Sequence, residues 1–117
     1  MNIQIDKTPS NNAFAKKIIT NLNRLTKSFE IQQADAIVEL FEIIAKLELQ
    51  IDVSEAQNIY YNKIYHRIGL ILEDNVETPK EKDLKFIEIL LDIGTKLNIN
   101  IDFYKVKIDK LNMIAKD

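Results

Sequence analysis

Apolar residues recur at spacings of three and four in five successive runs of this chain, and that recurrence restricts the fold more than any other feature. In TPSNNAFAKKIITNLNRLTKSF, Phe14, Ile18, Leu22 and Leu25 share one helical face, with Lys16, Lys17, Asn21, Arg24 and Lys27 mostly off it. In IQQADAIVELFEIIAKLEL the stripe is Ile37, Leu40, Phe41, Ile44 and Leu47, widened by Val38 and Ile43. A second helix buried on more than one side is expected. The third run, DVSEAQNIYYNKIYHRIGLILEDN, keeps Ala56, Ile59, Tyr60, Ile64, Ile68, Ile71 and Leu72 at helical spacing. Gly69 within it marks a bend or a close helix contact, since Gly costs about 1 kcal/mol relative to Ala in a helix interior.

The fourth run carries Leu84, Phe86, Ile87, Leu90, Leu91, Ile93 and Leu97; the fifth, from Asp102, carries Phe103, Val106, Leu111 and Ile114. Only two Gly and two Pro occur in 117 residues, too little turn chemistry for a β-rich fold. The expected architecture is all-α: a five-helix bundle made of an N-terminal helix plus two helical hairpins. One domain over residues 1–117 is expected, with 1–10 as a flexible leader.

The heptapeptides KLELQID (Lys46 to Asp52) and KLNINID (Lys96 to Asp102) point to an internal repeat. At an offset of fifty, residues 37–64 align with 87–114 and match identically at Ile37, Leu40, Ile43, Lys46, Leu47, Ile51, Asp52, Asn62 and Ile64. Both copies read helix, corner, helix, as duplicated hairpins do. Asp52 and Asp102 are expected as equivalent N-caps, with hydrophobic staples from Ile51 to Ala56 and from Ile101 to Val106. Thr78 is the expected cap of the fourth helix, with Pro79 in its first turn and Glu81 at the capping-box position.

The absence of Cys removes disulfides, thiolate metal sites and cysteine nucleophiles, and suits a reducing cytoplasm. The start, MNIQIDKTPSNNAF, lacks the basic and apolar regions of a signal peptide, and no apolar run approaches the roughly 20 residues of a membrane span. A net charge of −2 argues against nucleic acid as a partner. The charge is unevenly placed: residues 1–30 are basic, whereas 31–60 carry six acids against Lys46. A basic helix beside an acidic one is the simplest arrangement.

Candidate chemistry concentrates in one stretch. Gln57, Tyr60, Tyr61, Tyr65 and His66 supply the rings and polar edges that stacking on a sugar or base would use. The same tyrosines equally suit the boundary between a core and water. His66 is the only histidine, so no second imidazole or thiolate completes a metal set. Carboxylate pairs such as Glu39 with Glu42 and Glu81 with Asp83 have the spacing of solvated helix faces. Phosphate-binding Gly-rich loops, zinc-protease and hydrolase motifs are missing. Neither an enzyme, nor a cofactor, nor a metal is expected.

The segment LFEIIAKLELQIDVSEAQNIYY, Leu40 to Tyr61, resembles the C-terminal helical part of large family-57-like glycoside hydrolases, the group carrying the DUF3536 domain. The resemblance covers about a fifth of the chain and implies an accessory helical module linked to a polysaccharide-acting enzyme. In that family the catalytic carboxylates lie in an N-terminal barrel, so no catalytic residue carries over. From the residues themselves, the expected function is a non-catalytic protein–protein interaction or assembly module, acting through a protein partner or through self-association. The carbohydrate-linked module, with weak sugar contact through the tyrosines, is the alternative.

Overall fold

The computed structural model describes residues 6–115, and among these it is all-α, with five helices and no strand. They are α1 (Thr8–Ser28), α2 (Ile31–Lys46), α3 (54–74), α4 (Glu81–Lys96) and α5 (Asp102–Ala115). Helix α3 is continuous but changes pitch, with a π-helical stretch at Tyr60–Tyr65 between the α-helical Ser54–Ile59 and His66–Asp74. Helix α1 begins inside the segment expected as a leader, because Asp6 Oδ1 accepts the Thr8 N–H at 2.9 Å and Pro9 suits the first turn. Residues 1–5 lie outside the described part.

The pitch change follows from the sequence. The buried residues of α3 are Ala56, Tyr60, Ile64, Ile68 and Leu72, each four positions after the last. In a 3.6-residue helix each such step rotates the stripe by about 40°, and four steps would carry it about 160° away from the core. A wider turn in the middle of the helix takes back part of that rotation, which keeps all five side chains on the bundle.

Helix α4 is central. It packs against α2, α3 and α5, while α1 packs against α2 and the first half of α3. The basic α1 thus lies directly beside the acidic α2. Ile18, Leu22 and Leu25 of α1, Ala34, Ile37, Phe41 and Ile44 of α2, and Leu84, Ile87, Leu90, Leu91 and Ile93 of α4 are all buried in one apolar cluster. Contrary to expectation, α2 is buried along a single stripe: Ile43 and Leu47 stand 42% and 50% exposed.

The repeat is carried by main-chain geometry. Helices α2 and α4 start and stop fifty residues apart at both ends. Each ends in a left-handed residue, Glu48 (φ 54°) and Asn98 (φ 61°). In each the following N–H returns to the last turn, Leu49 to Ile44 at 3.0 Å and Ile99 to Gly94 at 2.9 Å, which closes a Schellman motif. The correspondence then slips by two residues, because α3 starts at Ser54 and α5 at Asp102. Asp52 is not the N-cap, which is Val53, but stands one residue before it, where its Oδ1 accepts the Ser54 N–H at 2.9 Å and the Ser54 hydroxyl at 2.7 Å. Asp102 has no such role: it is the first residue of α5, and its own N–H donates to Asn100 Oδ1 at 3.0 Å. The second staple fails with it, since Val106 is exposed.

Thr78 does not cap α4 either. It is exposed, and the helix begins after Lys80, beyond Pro79. The turn is held instead by Asn75, which is fully buried: its Nδ2 donates to the Ile71 carbonyl (2.8 Å) and to Asp83 Oδ2 (3.1 Å), and its Oδ1 accepts the Lys80 N–H (2.7 Å).

Candidate functional site

The five residues of the tyrosine stretch divide between core and surface. Tyr60 is fully buried, and its hydroxyl donates to the Leu90 carbonyl at 2.7 Å. Gln57 Nε2 donates to the Leu97 carbonyl at 2.6 Å. Both fasten α3 to α4, Tyr60 from within the core and Gln57 from a half-buried position. Tyr61, Tyr65 and His66 lie on the outer side of α3, where Tyr61 stacks on Tyr65 with centroids 5.3 Å apart and rings 18° from parallel.

Tyr65 continues onto Tyr104 of α5 at 4.6 Å, and Tyr104 meets Phe103 at 5.4 Å. Tyr104 approaches α3 over Gly69, where a Cβ would stand 2.8 Å from its hydroxyl oxygen. The glycine therefore marks a close helix contact, one of the two readings its position allowed. Burial pushes the Tyr104 phenol above its ordinary range, and the nearby Tyr65, Glu73 and Tyr61 add to the shift.

Beyond this aromatic row, the second half of α3 and the length of α5 enclose an open groove of about 580 Å³. Leu70, Val76, Phe103 and Ile114 stand at its edges, 48% to 62% exposed, above a floor of Leu72, Tyr104 and Leu111. Its charged groups are Lys107 and Lys110 against Glu73, and His66 adds a polar ring. Lys107 Nζ lies 4.2 Å from the Phe103 ring centroid, a cation–π contact that leaves the ammonium at the rim.

Helical spacing predicts Phe103, Val106, Leu111 and Ile114 as the apolar face of the fifth helix. The buried set is instead Tyr104, Ile108 and Leu111, preceded by Ile101. Helix α5 is apolar on two sides. That two-sidedness is the signal that could have located the groove, because one side suffices for packing within the chain.

Among the described residues, no group of three or more His, Asp or Glu side chains could hold a metal ion. Of the carboxylate pairs, Glu39 and Glu42 are exposed, while Asp83 is bonded to Asn75. No helix among the described residues is long and apolar enough to cross a membrane. The groove is an open, apolar, basic-rimmed trough, suited in shape to the ridge of a helix. Compared with protein-family models, curated proteins and solved structures, the chain matches none.

Proposed function

We propose that this protein is a non-catalytic helical interaction module that receives an amphipathic helix in the α3–α5 groove. The observation that supports it is the row of Leu70, Val76, Phe103 and Ile114, four large apolar side chains about half exposed around one continuous trough. Apolar surface gathered in this way marks contact sites, whereas scattered exposed apolar residues do not. A small molecule would remain largely exposed in so open a trough; a helix would fill it along its length. The cytoplasm is the location that goes with this reading.

Affinity capture from cell extract tests it, with wild type compared against Leu70→Glu/Phe103→Glu. Both positions are exposed, so the variant is expected to fold. A partner retained by wild type and lost by the variant supports the module. Identical capture by both proteins removes the groove from the function.

A carbohydrate-linked role keeps one favourable observation, the 60% exposed Tyr61 ring backed by Tyr65. It loses Tyr60 to the core, and Gln57 spends its amide N–H on the Leu97 carbonyl. Titration with α-glucan oligosaccharides should move the Tyr61 ring resonances if this role exists. Unchanged resonances would end it.

A further inference from the structure

We infer that the groove is filled by a second copy of this chain, through the outer ridge of its α2. This rests on the reading of the α3–α5 groove as a helix-binding site, and the internal repeat supplies the partner. In α4 the residues Leu90, Ile93 and Leu97 are each fully buried. There α3 reaches across with the Tyr60 bond to the Leu90 carbonyl and the Gln57 bond to the Leu97 carbonyl. Fifty residues earlier, α2 carries the same three residue types at the same positions, Leu40, Ile43 and Leu47. Among the described residues nothing buries this copy to the same degree: Leu40 is half-buried, Ile43 is 42% exposed and Leu47 is 50% exposed. The protein therefore carries one ridge that is covered by its α3 and α5 layer and a duplicate that the described residues leave open at Ile43 and Leu47, with Leu40 packed partly against the core.

That α3 and α5 layer receives α4 on its inner side, and on its outer side it presents the open groove. Shape selects between the ways two copies could meet. Two grooves face to face would leave both troughs unfilled, whereas a single-helix ridge is the convex counterpart of a groove between helices. Charge agrees with shape. The open ridge runs beside the carboxylates of Asp35, Glu39 and Glu42, against Lys46, while the groove presents Lys107 and Lys110 against Glu73. Opposite potentials of this kind fix register and disfavour a groove-to-groove approach. Repeated head to tail, the contact builds rings or filaments; closed reciprocally, it builds a two-fold dimer with two ridge-in-groove contacts.

The test uses the full chain and two variants, each missing one surface. Ile43→Glu/Leu47→Glu removes the ridge and keeps the groove. Leu70→Glu/Phe103→Glu does the reverse. All four positions are exposed, and circular dichroism melts confirm that each variant is folded before it is used. In sedimentation velocity, wild type is expected to associate as concentration rises from micromolar to millimolar, and less so at high salt. Each variant alone is expected to stay monomeric, and an equimolar mixture to give a one-to-one complex, because each supplies the surface the other lacks.

The inference is overturned if the ridge variant still self-associates, which would indicate groove-to-groove contact, or if the mixture stays monomeric. A wild type that remains monomeric at millimolar concentration overturns it as well. That last result leaves the interaction module standing wherever capture of another protein still depends on Leu70 and Phe103, so the two failures are separable.

Discussion

The hydroxyl of Tyr60 reaches the main-chain carbonyl of Leu90 at 2.7 Å by passing over Gly94. A Cβ at residue 94 would stand 2.6 Å from the Tyr60 hydroxyl oxygen, 2.9 Å from Cζ and 2.8 Å from Ile101 Cγ2. This one contact joins three elements: the π-helical stretch of α3, the C-terminal turns of α4 and the entry to α5. Gly94 occupies the position that Ile44 fills in the first copy of the repeat, so the second copy exchanges a side chain for the close approach of a ring.

Gly94→Ala is accordingly expected to destabilise the fold, although Ala is worth about 1 kcal/mol over Gly in an ordinary helix interior. Overpacking a filled core costs about 1 to 3 kcal/mol, and three atoms inside 3.0 Å put this site at the upper end. A net loss of about 2 kcal/mol should appear in urea denaturation. Gly69→Ala should cost less, because there the closest atom is the Tyr104 hydroxyl at the far end of its side chain. Stabilisation by Gly94→Ala would contradict the packing described.

Burial holds the Tyr60 phenol well above the ordinary tyrosine value, and Tyr65 and Tyr104 reinforce the shift. The folded state therefore keeps a proton that the unfolded chain gives up near the usual value of about 10. Stability from this source is complete below pH ~10 and declines as pH rises toward the folded-state value, with Tyr104 adding a weaker effect of the same sign. Thermal melts from neutral pH into the alkaline range should show the decline. Tyr60→Phe should flatten it while lowering stability at neutral pH by about 1 kcal/mol for the lost hydrogen bond. An equally steep decline in the Phe variant would assign the alkaline sensitivity to other groups.

Asn75 is the fully buried polar side chain of the α3–α4 turn, and it makes three hydrogen bonds there. Asn75→Ala leaves the Lys80 N–H and an Asp83 oxygen without this partner and should cost about 2 to 3 kcal/mol. Asn75→Asp is the more specific probe. It replaces a donor 3.1 Å from Asp83 Oδ2 with a second carboxylate, so the variant should be weak at neutral pH and recover part of its loss as acid protonates the pair. A pH-independent loss would mean that the Asp83 contact contributes little.

The sequence made the helices and the offset-fifty repeat visible because both depend on local spacing, which side chains write directly into the chain. The π-helical stretch is also written there, as five apolar residues four apart from Ala56 to Leu72, a spacing whose drift a regular 3.6-residue helix does not absorb. What local spacing cannot express is the choice between two apolar sides. In α5, Phe103 and Ile114 have the same pattern strength as Tyr104 and Leu111; only packing on α4 decides which pair is buried. The same holds for the tyrosines, where Tyr60 and Tyr61 are neighbours in sequence and lie on opposite sides of the core boundary. In the turn before α4, Thr78–Pro79 has the local pattern of a cap, but the buried Asn75, with bonds reaching eight residues along the chain, governs where the helix starts.

Helices α1, α3 and α5 share one way of starting, and it yields a prediction that separates the repeat in sequence from the repeat in structure. In each, a side-chain oxygen two residues before the first helical residue accepts that residue's N–H: Asp6 for Thr8, Asp52 for Ser54 and Asn100 for Asp102. The structural counterpart of Asp52 is thus Asn100, and that of Ser54 is Asp102. Asp52→Ala and Asn100→Ala should each lower the melting temperature, and their effects should add because they act on separate helices. Asp52→Asn should retain most of the stability, since the amide oxygen accepts the same bond. Asp102→Ala should have a smaller effect, limited to the loss of a negative charge from the first turn of α5. The Ser54 bonds hold the Asp52 carboxyl below its usual range, so its contribution is present above the ordinary Asp value and fades as pH falls below it. Asn100 has no such titration. Melts at neutral and acidic pH should therefore show the Asp52→Ala penalty shrinking in acid while the Asn100→Ala penalty persists. Equal penalties for Asp52→Ala and Asp102→Ala, with none for Asn100→Ala, would restore the register of the heptapeptides and displace this one.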